Sequence, residues 1–227
     1  MPLAIITGAS RGLGLALARS LADRGWALVI DGRNAADLER AARELGAITE
    51  VAAIPGDVSD DWHLGSLVEA AGERVDLLVN NASVLGPSPQ PALGEYQLAD
   101  LERVYRVNVF APLALAQLVL PRLPDGGRII NVTSDAAVNA YEGWGGYGSS
   151  KAALEQLTAI LAAEQPALRV YAVDPGDMRT RLHQEAFPGE DISDRPEPEE
   201  TVPGLLALIE SDLPSGRYVA KDVVARV

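Results

Sequence analysis

A reaction can be read from three residues, Tyr147, Lys151 and Ser134. The run Tyr147-Gly148-Ser149-Ser150-Lys151 places a phenol and an ammonium four residues apart, with Ser134 thirteen residues upstream. On a helix, residues i and i+4 share a face, so Lys151 is expected beside the Tyr147 ring. A free phenol ionises near pH ~10 and does little proton transfer at neutral pH. An ammonium roughly 4 Å away favours the phenolate by about 4 kcal/mol at an effective dielectric of ~20. At about 1.4 kcal/mol per unit, the phenol is expected roughly 3 units lower, near working pH. A Ser134 hydroxyl could then hold a substrate oxygen in the same place. Tyr-x-x-x-Lys alone is a weak signal, since any surface helix can carry it. The elements around it decide.

Those elements alternate. Leu3-Ala4-Ile5-Ile6-Thr7 is a short apolar run of the kind buried in a parallel sheet. It enters Gly8-Ala9-Ser10-Arg11-Gly12-Leu13-Gly14, followed by a helical pattern at Leu13, Leu17 and Leu21. A strand, a glycine-rich turn and a helix N-terminus make an anion site, with backbone N–H groups and the helix dipole facing a phosphate. Gly8 permits the tight turn, Gly12 the close approach of a pyrophosphate, and Gly14 the packing of helix on strand. Further strands are predicted at Ala27–Ile30, Val51–Ile54, Val75–Val79, Arg128–Val132, Arg169–Val173 and Arg217–Ala220. Helices are predicted at Ala35–Leu45, Trp62–Ala71, Gln97–Leu123, Tyr147–Glu164 and Val202–Ile209, with Pro112 bending the long one near Asn108. Strands alternating with helices mean βαβ units and a parallel sheet. Asp177 to Glu200 has no clear period and reads as a lid or binding loop.

Composition removes several classes of function. The 227 residues carry a net charge of −13 with no basic run, which argues against nucleic acid and anionic membranes as partners. With no cysteine, disulfides, thiolate nucleophiles and zinc–thiolate sites are excluded. The two histidines, His63 and His183, stand far apart and read as isolated, which disfavours a metal site. The N-terminus lacks a basic region followed by a long apolar stretch, and the apolar tract Val109 to Leu123 is broken by Pro112, Gln117 and Pro121. A cytoplasmic protein is expected.

With these residues in view, the chain from Leu3 to Ala220 resembles the short-chain dehydrogenase/reductase family in its compact form. The resemblance rests on Thr7-Gly8-x-x-x-Gly12-x-Gly14, Asp57-Val58, Asn80-Asn81-Ala82, Asn108, Ser134, Tyr147-x-x-x-Lys151 and Pro175-Gly176-x-x-x-Thr180. It implies one Rossmann-like α/β domain over residues 1–227, a doubly wound parallel sheet of about seven strands in the order 3-2-1-4-5-6-7, with helices on both faces. It also implies an oxidoreductase that interconverts a carbonyl and an alcohol. Tyr147 would be the general acid or base, and Lys151 would lower its pKa and hold the nicotinamide ribose. Ser134 would position the carbonyl oxygen, and Asn108 would complete a proton relay. Cofactor contacts fall on Gly8, Ser10, Arg11, Gly12, Leu13, Gly14, Arg33, Asp57, Val58, Asn81, Ala82, Tyr147, Lys151, Pro175, Gly176, Met178 and Thr180. Ser83 departs from the pattern, which usually has glycine there.

Cofactor choice turns on Asp31-Gly32-Arg33. In the family the acid that selects NAD falls where Gly32 stands. Asp31 is one residue early, and one residue along a strand reverses the face. Arg33 and Arg11 can bracket a 2′-phosphate, so NADP(H) is expected over NAD(H). Tyr141, Trp144 and the 177–200 loop are expected to wall a pocket for a moderately hydrophobic ketone or alcohol. His183 reads as a solvated loop residue. Family members commonly pair the helices containing Asn108 and Tyr147 across a twofold axis, so a homodimer or homotetramer is expected. The competing readings are a catalytically silent NADP-binding regulator, disfavoured by the complete set Asn108, Ser134, Tyr147 and Lys151, and a sugar-nucleotide epimerase or dehydratase, disfavoured by length.

Overall fold

The computed structural model describes residues 1–223. The last four residues of the domain expected over 1–227 lie outside the described residues. The elements run β1 (Leu3–Ile6), α1 (Gly12–Ala22), β2 (Ala27–Gly32), α2 (Ala35–Leu45), β3 (Val51–Pro55), α3 (Asp61–Ala71) and β4 (Leu77–Asn80). After them come α4 (Leu98–Tyr105), a π turn (Arg106–Phe110), α5 (Ala111–Val119), β5 (Arg128–Val132), α6 (Gly145–Glu164) and β6 (Arg169–Asp174). The chain continues through α7 (Arg181–Ala186), α8 (Pro198–Glu210), β7 (Gly216–Val219) and α9 (Ala220–Val223).

All seven strands pair in parallel, in the order β3-β2-β1-β4-β5-β6-β7. Side chains alternate across a strand, and the inner strands of this sheet feed two cores. Ile6, Ile30, Val79, Ile130 and Val173 face a layer built from α1, α2 and α8, while Ile5, Val29, Leu78, Ile129 and Val170 face one built from α3 and α5. Fully burying each such side chain contributes about 1.5–3 kcal/mol, which is why apolar runs unbroken by polar residues become inner strands. The strand order reverses between β1 and β4, and a crevice opens there beyond the carboxyl ends of the strands.

Three expectations are corrected. The long helix is not regular: between α4 and α5 it loosens into the π turn that contains Asn108. Pro112 has no N–H to offer the carbonyl four residues back, and the Ala111 amide donates to the carbonyl of Arg106 instead. The continuous stretch Leu98–Arg122 is long and apolar enough to cross a membrane by length and composition, contrary to the sequence reading, but half of its apolar window is buried within the protein. The 177–200 segment is not irregular throughout. It holds α7, whose N-terminus is capped by Thr180 Oγ1 accepting the His183 amide at 3.2 Å, and α8 begins at Pro198.

Candidate active site

A cleft of about 750 Å³ lies over the carboxyl ends of β1, β2, β4, β5 and β6. One half is made by the glycine-rich turn. Gly8 and Gly12 have φ of +67° and +56°, a region that favours glycine. A Cβ on Gly8 would also lie 3.0 Å from the Ala82 Cα. The turn is strutted from β4: Asn81 Nδ2 donates to the carbonyls of Thr7 (2.8 Å) and Gly8 (3.2 Å). The Thr7 hydroxyl accepts the amides of Asn81 and Ala82, each at 3.0 Å.

The turn is also held from β2. Asp31 is buried at the end of β2, and its Oδ1 accepts the Gly8 amide at 2.6 Å. Its Oδ2 meets His63 Nε2 of α3 at 3.0 Å, and both side chains are buried. His63 is therefore not an isolated histidine, as the sequence suggested, but the partner of a buried carboxylate. Truncating one member of a buried pair strands the other, at a cost of about 3–5 kcal/mol. We expect His63→Leu to lose about 3 kcal/mol of stability in urea titrations, and a loss below about 1 kcal/mol would show the pair to be energetically idle.

Beside Asp31, Gly32 leaves room for Ser10. A Cβ at Gly32 would come within 2.8 Å of Ser10 Oγ and 2.9 Å of its Cβ, so a side chain at position 32 requires Ser10 to move. Arg11 and Arg33 are exposed at the same rim, and neither makes an ion pair within 4 Å among the described residues. Asp57 lies across from them. Burial pushes its carboxyl up, but the amide and hydroxyl of Ser59, with Arg33 and Arg103 nearby, hold it below the usual carboxylate range.

The other half of the cleft carries the hydroxyls. Tyr147 is buried on α6 and packs edge-on against Trp144 at 5.9 Å between centroids. Ser134 and Ser83 line the same part of the cleft. Ser134 Oγ accepts the Ala136 amide at 3.1 Å and donates to Asp135 Oδ1 at 3.0 Å. Asp135 in turn accepts the phenol of Tyr141 at 2.7 Å. Lys151 Nζ donates to the Val132 carbonyl at 2.8 Å and lies 5.5 Å from the centre of the Tyr147 ring.

The expected lowering of the Tyr147 pKa is corrected by this geometry. Burial raises the phenol well above its ordinary value, and the two serine hydroxyls only partly oppose that. Burial also lowers Lys151 to about 7, against the pull of Glu155. Desolvation thus outweighs the charge–charge attraction that spacing alone suggests. The phenol is neutral at physiological pH.

Asn108 is wholly buried and does not line the cleft. Its Oδ1 accepts the Val84 amide (2.9 Å) and its Nδ2 donates to the Val84 carbonyl (2.9 Å) and to Ser150 Oγ (3.0 Å). It therefore ties the loop after β4 to α6. Gly14 is also absent from the lining; its missing side chain makes room for Asn81, whose Nδ2 a Cβ would approach to 2.6 Å. All the other catalytic and cofactor contacts expected from the sequence line the cleft. Tyr141 does not; it stands outside on Asp135. His183 is not solvated: it lies in the lining, Arg195 Nε donates to its Nε2 at 3.3 Å, and its ring packs on Phe187 at 4.9 Å. Leu182 and Ala186 of α7 pack against the cluster of Tyr147, Leu85 and Ala136.

A doubly wound parallel sheet, a glycine-rich turn at its switch point and a buried tyrosine and lysine at the strand ends define a dinucleotide-dependent class of protein. The family model described as short chain dehydrogenase matches residues 2–191. The chain is 35% identical over 193 residues to a benzil reductase of Saccharomyces cerevisiae, covering 80% of this chain and 73% of that protein. It is 32% identical to an NADPH-dependent aldehyde reductase-like chloroplastic protein of Arabidopsis thaliana, covering 99% of this chain and 85% of that one. An alcohol dehydrogenase of Thermococcus sibiricus, solved as a complex with 5-hydroxy-NADP, superimposes with a TM-score of 0.87 at 28% identity, covering 96% and 95% of the two chains. The chain belongs to the short-chain dehydrogenase family of oxidoreductases.

Proposed function

We propose that the protein is an NADP(H)-dependent carbonyl reductase in which Tyr147 is the general acid. The observation that carries this reading is a buried, neutral phenol beside the Ser134 hydroxyl, in a cleft shared with a glycine turn suited to a pyrophosphate. The positive φ of Gly8 and Gly12 and the two arginines at the rim fit a phosphorylated dinucleotide. When bound, the reduced nicotinamide supplies the hydride. Tyr147 supplies the proton to the carbonyl oxygen, and the neutral phenol is the form that can donate it. Ser134 turns its hydroxyl from Asp135 to the substrate oxygen. Lys151 holds the nicotinamide ribose, and Gly176 and Thr180 meet that end of the cofactor. Asn108 acts by fixing the loop after β4. Trp144, Leu85, Leu182 and Ala186 suit a moderately hydrophobic ketone or aldehyde, and α7 forms its lid.

A screen of NADPH oxidation against diverse ketones and aldehydes tests the reading. Turnover of a subset is expected. Silence across a broad panel with NADPH binding retained would replace it with an NADP-binding regulator.

Two further outcomes are expected. Arg11→Ala with Arg33→Ala removes two charged contacts worth about 1.5–3 kcal/mol each. Titration calorimetry should show NADPH weakened by two orders of magnitude or more and NADH almost unaffected; equal losses would locate the preference elsewhere. We also propose that the protein self-associates. Leu98, Phe110 and Leu118 on the α4–α5 helix and Ile160 on α6 are 40–74% exposed, which favours a second copy packed there. Light scattering at micromolar concentration should give at least a dimer, and a monomer would refute it.

A further inference from the structure

Three segments carry groups assigned to the reaction: the end of β5 with Ser134, helix α6 with Lys151, and the turn after β6 with Gly176. One side chain, on none of them, bonds to all three. Arg217 lies on the edge strand β7, paired beside Ala172 of β6. Its neighbour Tyr218 packs into the core against Tyr171, so Arg217 takes the opposite face, towards α6. Its Nε donates at 2.9 Å to Oε1 of Glu155, which stands one helical turn after Lys151. Its Nη2 is shared between Asp174 Oδ2 at 3.2 Å and the Ser134 carbonyl at 3.4 Å. The partners pass the constraint on. Asp174 Oδ1 accepts the Gly176 amide at 3.0 Å, and Glu155 Oε1 also accepts the Thr133 hydroxyl at 2.8 Å. The Glu155 and Asp174 side chains are 15% and 8% exposed, and among the described residues Arg217 is the one cation within 4 Å of either.

We propose that Arg217 is a positioning residue for the reaction: its guanidinium sets the spacing between Ser134, Lys151 and the Gly176 turn. This rests on the reductase reading, in which those three residues meet substrate and nicotinamide. Arg217 itself does not line the cleft, so it acts through its partners. A guanidinium presents N–H groups in several directions from one rigid plane, which suits a bridge between two carboxylates and a carbonyl. A lysine ammonium is a single point on a flexible stem, so it holds one partner and releases the others. Without the bridge, two poorly solvated carboxylates face one site with no cation between them, and their repulsion drives α6 from the β6 turn. Ser134 and Lys151 then shift relative to the nicotinamide end of the cofactor. A displacement of about 1 Å there can cost about 100-fold in rate.

Arg217→Lys and Arg217→Ala are compared with wild type in NADPH-dependent ketone reduction. Lysine keeps the charge, so this variant should fold as wild type does, which circular dichroism and urea titration check. In both variants kcat should fall about tenfold or more. A kcat for Arg217→Lys within about twofold of wild type overturns the proposal, whatever alanine does. A second readout needs no turnover. The nucleotide 2′,5′-ADP carries the adenosine end of the cofactor and lacks the nicotinamide ribose. In titration calorimetry Arg217→Lys should weaken NADPH about threefold or more and leave 2′,5′-ADP within about twofold of wild type. Equal weakening of the two ligands would mean a general loosening of the fold, and overturns the proposal. Silence of the wild type towards every carbonyl would defeat the reductase reading, and the calorimetry would still decide the role of Arg217. Full activity of Arg217→Lys beside an active wild type would defeat this inference alone.

Discussion

Replacing Tyr147 by phenylalanine is expected to lower turnover by about 10²–10⁴-fold and leave NADPH binding within about twofold of wild type. The ring is retained, so its packing on Trp144 and Leu85 survives and stability should change little. What is lost is the buried O–H that is the proposed proton donor. A positioned proton donor contributes about 10²–10⁴ to rate, which sets the range. Single-turnover oxidation of bound NADPH in the presence of a ketone separates this from slow product release. A variant that keeps more than about a tenth of the wild-type rate would show that another group protonates the oxygen.

Lys151→Met has two expected effects, and only one concerns the reaction. Turnover should fall about 10²-fold or more, with NADPH weakened, because the ammonium is the cation nearest the phenol and the proposed ribose anchor. The second effect is on folding. Below about pH 7 the ammonium is charged in folded and unfolded chains alike, and the full cost of burying it weighs on the native state. Between about 7 and the ordinary 10.5 the folded chain has shed a proton that the unfolded chain keeps, so wild-type stability climbs with pH. Methionine removes that burden but orphans the Val132 carbonyl, at about 1–3 kcal/mol. The variant should therefore equal or exceed wild type near pH 6 and fall below it near pH 9.5. Urea titrations at both values check this, and a difference that does not change with pH would mean that Lys151 is not held near neutrality.

What the sequence disclosed was local or periodic. Apolar runs gave the strands, and the residues following them, Gly8, Asn81, Ser134 and Pro175, fell at one edge because parallel strands all end there. What it hid were contacts between residues distant along the chain. Asp31 and His63 lie on different elements, so neither spacing nor periodicity relates them. Ser83 meets Asn108 only because the π turn rotates the amide towards the loop after β4. Ser134 and Asp135 are adjacent in sequence, yet the hydrogen bond between them depends on the extended backbone that Ser134 adopts at φ −162°. Helix α7 has six residues, too few for a period to show. The Tyr147 phenol lies above its ordinary pKa and not below it because spacing reports the distance between charges and not the solvent they lose.

The notch shared by Gly32 and Ser10 limits how this enzyme could change cofactor by descent. An acid at position 32 is the shortest route to NAD, but a side chain there meets Ser10 at 2.8–2.9 Å before it reaches a ribose. Gly32→Asp on its own should therefore be a dead step, damaging the turn for both dinucleotides. Ser10→Gly would have to come first or at the same time, which makes the two substitutions strongly non-additive. A lineage changing one codon at a time would meet a valley between the two cofactors, so the proposed NADP(H) preference would be hard to reverse.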